Sequence, residues 1–265
     1  MMILWYFGVI VCLFLAAFVA ALIGIGGGVL YTPIQIFFDV GIHEAATTSL
    51  FLIMILSIGA TIIYRRARKI DWMMAVVLEI FTTSGAFAGG YLSEAIPAPI
   101  LTSILIATLV MTGLIMIRGS VGDAHLYRGD AWYLWRRESP GGNYTINMLL
   151  AIPISSIAGA MSGMIGIGGG VLKVPMMAIL FGVPIDIAIA TSAFMVGITA
   201  AAGFAGHLVA GHWEWRYSLL FAPAVFLGAT LGAGCMLRID KRKLKKIFGV
   251  FVLLFAMGLV FKLLY

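Results

Sequence analysis

Eight stretches of this chain are apolar for about 20 residues each, the length that crosses roughly 30 Å of hydrocarbon. They lie near 3–23, 43–64, 72–92, 98–118, 144–165, 187–208, 214–236 and 243–264. Backbone N–H and C=O groups find no water in a bilayer, so lipid-embedded chain must be helical or a closed barrel. Runs of this length read as helices. With 62% hydrophobic and 11% charged residues, against about 25% charged in a soluble domain, the chain cannot build a water-compatible surface. A soluble enzyme, a disordered chain and a nucleic-acid-binding domain are therefore excluded. The net charge of +6 sits in short clusters between apolar runs, where basic residues report orientation. The expectation is an all-α polytopic membrane protein. The first 23 residues hold no basic residue, and they read as a retained first helix rather than a cleaved signal. Cys12 and Cys235 lie inside apolar runs, a pattern that gives no disulfide framework.

The chain repeats itself. GIGGGVLYTP at 24–33 returns as GIGGGVLKVP at 166–175, and Thr48-Ser49 returns as Thr191-Ser192. Trp72, Gly85 and Gly89 match Trp215, Gly228 and Gly232 at nearly the same offset. Collinear matches of this kind mark a duplication. The first transmembrane repeat is 1–118, the second is 144–265, and a polar cytoplasmic linker, 119–143, joins them. Within that linker, AWYLW reads as a short interfacial piece.

Charge sets the relative orientation of the copies. Arg65, Arg66, Arg68 and Lys69 make one loop basic, while its counterpart around His207–Trp213 has no Lys or Arg. Arg238, Lys241, Arg242, Lys243, Lys245 and Lys246 make another loop basic, while its counterpart at 93–99 has none. Basic loops stay in the cytoplasm, so equivalent loops face opposite sides, as inverted repeats require. Inversion needs an odd number of crossings per half. The shorter apolar segments at 29–41 and 171–185 supply the fifth, each as a glycine-broken short helix. The result is ten crossings with both termini outside, a re-entrant hairpin being the structural alternative.

Irregular backbone at membrane depth is tolerated where it is buried in protein or lines a cavity. Gly24, Gly26, Gly27, Gly28 and Val29, with Gly166, Gly168, Gly169, Gly170 and Val171, therefore mark the candidate binding site. Pro33 and Pro175 suit a helical first turn, and the positive end of the helix that follows attracts an anion. The alternative is that these glycines serve packing alone, the preferred reading for Gly85/Gly89 and Gly228/Gly232. Lys173 follows the second cluster where the first has Tyr31. An intramembrane lysine is either a ligand or the partner of a carboxylate. Glu79 lies about 15 Å along a helix from Lys69 and has Ala222 as its counterpart. It is a candidate for carrying a coupling proton, or the permanent partner of Lys173. Thr47, Thr48, Ser49, Thr191 and Ser192 offer hydroxyls to an oxyanion or to nearby backbone, and Gln35 is a weaker candidate. The four histidines fit no zinc spacing. Asp39, Glu44 and Asp186 sit at segment ends, where solvation is the simpler account. Neither a cofactor nor an enzymatic constellation is indicated.

The two GIGGG motifs, each followed by a Thr-Ser helix (ATTSLF at 46–51, ATSAF at 190–194), resemble the TauE/SafE sulfite exporter family. The resemblance covers both halves. It implies an inner-membrane transporter, acting as an exporter, for small sulfur-containing anions such as sulfite or organosulfonates. An anion channel and a non-transporting assembly or sensor subunit are the alternative functions. The expected partners are the anion and the lipid bilayer, with a homodimer left open and nucleic acid excluded. An anion leaving a cell that is negative inside gains roughly 2.3 kcal/mol per charge per 100 mV, so such export needs no ATP.

Overall fold

The computed structural model describes residues 2–38, 40, 42–92, 131–139, 142–165, 169–209, 213 and 215–264, with scattered helical positions between 100 and 118. The first half contributes α1 (Met2–Ile23), α2 (Gly28–Phe37), α3 (Ile42–Arg66) and α4 (Trp72–Leu92). The second contributes α5 (Met148–Ile165), α6 (Gly170–Pro175), α7 (Ile185–Val209), α8 (Trp215–Met236) and α9 (Lys241–Leu264). A π-helical turn, Met176–Leu180, continues α6 directly. Among the described residues four helices are long and apolar enough to cross a membrane, with spans Tyr6–Ile23, Thr47–Arg66, Ile185–Ala205 and Trp215–Met236. Shorter apolar runs lie in α4, α5 and α9.

One element departs from the all-helical expectation. Strands β1 (Leu134–Ser139) and β2 (Gly142–Asn147) pair antiparallel, Leu134 opposite Asn147 and Ser139 opposite Gly142. The hairpin takes the end of the expected linker and the first residues of the expected crossing, which starts at Met148. Alternation explains it: Tyr144 and Ile146 are buried two residues apart, the period of a strand.

Glycines set how the helices approach. A methyl group on Gly228 or Gly232 of α8 would lie 2.4 Å from the Phe14 or 2.1 Å from the Phe18 carbonyl oxygen of α1. The same arrangement recurs between α4 and α5: a methyl on Gly85 would lie 2.1 Å from the Ser156 oxygen, and one on Gly159 2.0 Å from the Thr82 oxygen. Thus the first helix of each half packs on the fourth helix of the other. Only Gly permits backbones to meet this closely.

Between the copies, α3 packs on α7. Lys69 meets Asp186, Ser57 donates to the Phe194 carbonyl, and Phe51 meets the ring of Phe204. Sequence numbers rise on one helix as they fall on the other, so these two equivalent helices run antiparallel. By contrast α1 and α8 run parallel, Tyr6 lying by Tyr217 and Phe18 by Gly232. The Tyr64 hydroxyl donates to the Ala21 carbonyl at 2.6 Å. The ends of α1, α3 and α8 therefore coincide, and Arg65, Arg66 and Arg238 lie at one end of the molecule. At the other end Phe51, Phe204 and Trp213 cluster, with ring centroids 5.3–6.1 Å apart.

Candidate functional site

Both helix breaks lie at the heart of this packing. Gly24, Gly26 and Gly27 take φ of +74°, +84° and +77°, a left-handed region costly for other residues. The turn ends when Leu30 and Tyr31 donate their N–H groups to the Gly27 carbonyl at 2.8 and 2.9 Å. Helix α2 thus starts at Gly28, upstream of Pro33, and the first-turn N–H groups facing the turn belong to Gly28 and Val29. In the second break Gly169 has φ +75° and its carbonyl accepts from Leu172 and Lys173. Pro175 is the last residue of α6 before the π-helical turn continues it. The prolines therefore do not occupy first turns as expected, because the glycine carbonyls nucleate each helix earlier. Gly166 and Gly168 lie outside the described residues; Val171 sits in the first turn of α6.

The two breaks touch each other. A methyl on Gly170 would lie 2.5 Å from the Ile25 carbonyl carbon and 2.7 Å from the Gly24 oxygen. One on Gly24 would lie 2.9 Å from Ile189 Cα, and Ser192 donates its hydroxyl to the Gly24 carbonyl at 3.0 Å. Half two thereby holds the break of half one. Beside this contact are buried polar atoms without a partner among the described residues, Tyr31 Oη and Ser162 Oγ, and further along α2 Gln35 Oε1 is another. Tyr31 covers Gly27, its hydroxyl 2.7 Å from where a methyl would stand. Ser162 Oγ and Lys173 Cε lie 3.1 and 3.4 Å from a methyl on Gly169, so they flank a single point.

Lys173 is fully buried and Glu79 is 4% exposed. They form an ion pair at 2.8 Å. Thr199 of α7 bridges them, accepting from Lys173 at 2.7 Å and donating to Glu79. Thr83 also donates to Glu79, at 3.1 Å. Of the two readings open to Glu79 from sequence, partnership with Lys173 is the contact formed.

The other expected hydroxyls divide. Ser49 accepts from Thr32 and from Gln35 of α2, both at 2.9 Å, and so joins α3 to the first break. Thr48 instead faces Ser218, at 3.4 Å, which accepts from Trp213. Thr191 accepts the Asp71 backbone N–H at 3.1 Å. Thr47 is buried, and Asp39 and His43 are outside the described residues or side chains. Asp186, expected to be solvated, is buried and paired with Lys69 at 2.7 Å; the antiparallel register of α3 and α7 brings them together.

Beneath the hairpin, Asp71 accepts from Arg137 at 2.7 and 3.1 Å, from Tyr144, and from the Met74 backbone N–H at 3.0 Å. Burial pushes its carboxyl up, but Arg137, Tyr144 and the Met74 N–H outweigh burial and hold it below the usual carboxylate range. Burial, then the Asp71 carboxylate, raises the Tyr144 hydroxyl. Sequence reasoning missed Asp71, Arg137, Tyr144, Ser162 and Thr199. Thr199 had a signal, for it stands seven residues after Ser192, two turns along the same face.

The family model for sulfite exporter TauE/SafE matches residues 9–259. Among curated relatives, the "Probable membrane transporter protein YunE" of Bacillus subtilis is 26% identical, covering 94% of this chain and 94% of its own. The "Probable membrane transporter protein MJ0441" of Methanocaldococcus jannaschii is 26% identical over 78% of this chain and 73% of its own. The "Sulfite exporter TauE/SafE family protein 5" of Arabidopsis thaliana is 28% identical over 48% of this chain and 29% of its own. No solved structure gives a significant match. The family match runs through both glycine breaks and every helix of the two halves from α1 to α9, and on that ground the chain belongs to the sulfite exporter TauE/SafE family.

Proposed function

We propose that the chain is a secondary transporter, rather than an enzyme, that carries a small sulfur-containing anion such as sulfite or an organosulfonate across the cell membrane. Export is the direction carried by the family name. The anion binds where the breaks meet, against the N–H groups of Gly28, Val29, Gly170 and Val171, with Lys173 as its counter-charge. One observation carries the reading: two glycine breaks in direct contact, with buried hydroxyls of Tyr31 and Ser162, unpartnered among the described residues, beside them. A buried polar group without a partner costs about 1–3 kcal/mol, and an oxyanion would satisfy both.

Inverted repeats support an alternating-access cycle. Favouring inversion, α3 and α7 are equivalent in sequence yet antiparallel, and the basic residues beside α3 and after α8 gather at one end. That end is then cytoplasmic by the positive-inside rule, and the start of α1 and the end of α9 face outside.

Vesicle uptake tests the function. Proteoliposomes should take up labelled sulfite or thiosulfate with saturation and counter-flow, and Lys173→Ala should cut uptake roughly tenfold or more, the scale of losing a charge-assisted hydrogen bond. Unchanged flux in that variant would remove lysine from the mechanism. Flux that never saturates would make the protein a channel, and no flux of either anion would sink the transport reading.

A further inference from the structure

The charge of Lys173 is neutralised by the Glu79 carboxylate, so while both groups are ionised the pair offers an anion no net counter-charge. From this we infer that anion binding is coupled to protonation of Glu79, one proton for each anion, a claim that rests on the anion site proposed above. The ion pair is sealed: Lys173 is fully buried, Glu79 is 4% exposed, and Thr199 contacts both. Breaking a buried pair by withdrawing one partner leaves an uncompensated charge, which is strongly unfavourable. An anion that drew the ammonium away would leave the Glu79 carboxylate in that position. A proton taken from water removes the difficulty. Glu79 becomes a neutral acid, Lys173 remains an ammonium, and its bond to Glu79 Oε2 is exchanged for one to the anion. For a monovalent anion the total charge in the site is unchanged.

The surroundings allow this exchange. Ser162 Oγ, buried and without a partner among the described residues, flanks the same point near Gly169 as the Lys173 stem. No other ionisable group competes for the proton among the described side chains facing Glu79. Helix α4 itself presents Thr83, α5 carries no ionisable residue, and α6 presents Lys173. Helix α7 presents Thr199, while its Asp186 is engaged with Lys69 far from this point; the His207 side chain is not among those described.

The stoichiometry follows from the broken symmetry of the repeat. The positions equivalent to Lys173 and Glu79 are Tyr31 and Ala222, so the duplicated site offers no second carboxylate to titrate. For a monovalent anion the loaded protein then carries no net charge across. Its flux follows the combined anion and proton gradients, and the membrane potential does not act on it, contrary to the expectation from charge alone.

Isothermal titration calorimetry on the purified full chain, run in buffers of differing ionisation enthalpy, reads the proton directly. Thiosulfate and methanesulfonate are the probes, because both stay fully ionised near neutral pH. The wild type should take up one proton per bound anion, with affinity falling roughly tenfold per pH unit. Glu79→Gln should bind either anion without proton uptake and without that slope. Anion binding by the wild type with no proton uptake overturns the coupling while leaving the anion site standing, and this readout needs no variant. Proton uptake that persists in Glu79→Gln overturns Glu79 as the acceptor. Absence of binding by either probe and by sulfite overturns the anion site, and the coupling with it.

Discussion

Two kinds of glycine occur in this chain, and they differ in what an added methyl would meet. At Gly24 the backbone is left-handed and Ile189 stands 2.9 Å away. Gly24→Ala should therefore destabilise the protein by about 1–3 kcal/mol, more if the contact with α7 cannot relax, and would be seen as a lower melting temperature in detergent. Among the described residues nothing stands within 4 Å of a methyl on Gly258 of α9, where Gly258→Ala should stabilise by about 0.5–1 kcal/mol through helix propensity. Equal effects at the two positions would show that the first break is not held as described. The motif itself was legible, since GIGGG recurs and each copy breaks a helix. Not legible was what each break rests on: Ile189, Ser192 and Ser162 are distant in sequence from the glycines they contact, and only tertiary packing brings them there.

The hairpin is tied down by Asp71, which also caps α4 through the Met74 N–H and joins α7 through Thr191. Arg137→Ala removes two charge-assisted bonds to it, so the strands should lose about 1.5–3 kcal/mol of anchoring. Hydrogen exchange at 134–147 should rise while exchange in α3 stays as it was. Acid should act in the same way. The folded-state pKa of Asp71 is depressed, so its contribution is complete above the ordinary value of about 3.9 and is lost as pH falls through the lower folded value. Protection of the strands that vanished between pH 7 and 5 would contradict this. The hairpin was half legible. Pro140, Gly141 and Gly142 make a turn signal between two segments containing Trp, Tyr and Ile. Proximity to the apolar run that follows made Tyr144–Ile146 read as the start of a helix instead.

At the scale of the whole molecule, hydropathy located the described helices because their positions follow from length and polarity alone; most of the expected crossing at 98–118 lies outside the described residues. The cross-packing of first and fourth helices between halves was not readable, although the matched glycine pairs marked the surfaces involved. Orientation in the bilayer remains to be tested by labelling. With Cys12 and Cys235 replaced by Ser, a cysteine at Ala67 should react with an impermeant maleimide only from the cytoplasmic side, and one at Ala210 only from outside. Reaction of both from the same side would refute inversion. The ion pair has a consequence for ancestry as well. Glu79 comes from one copy and Lys173 with Thr199 from the other, so a pairing of two identical half-length subunits would place each group at the centre twice or not at all. Joining the copies into a single polypeptide lets them diverge, so that a lone acid and a lone base can be fixed opposite each other.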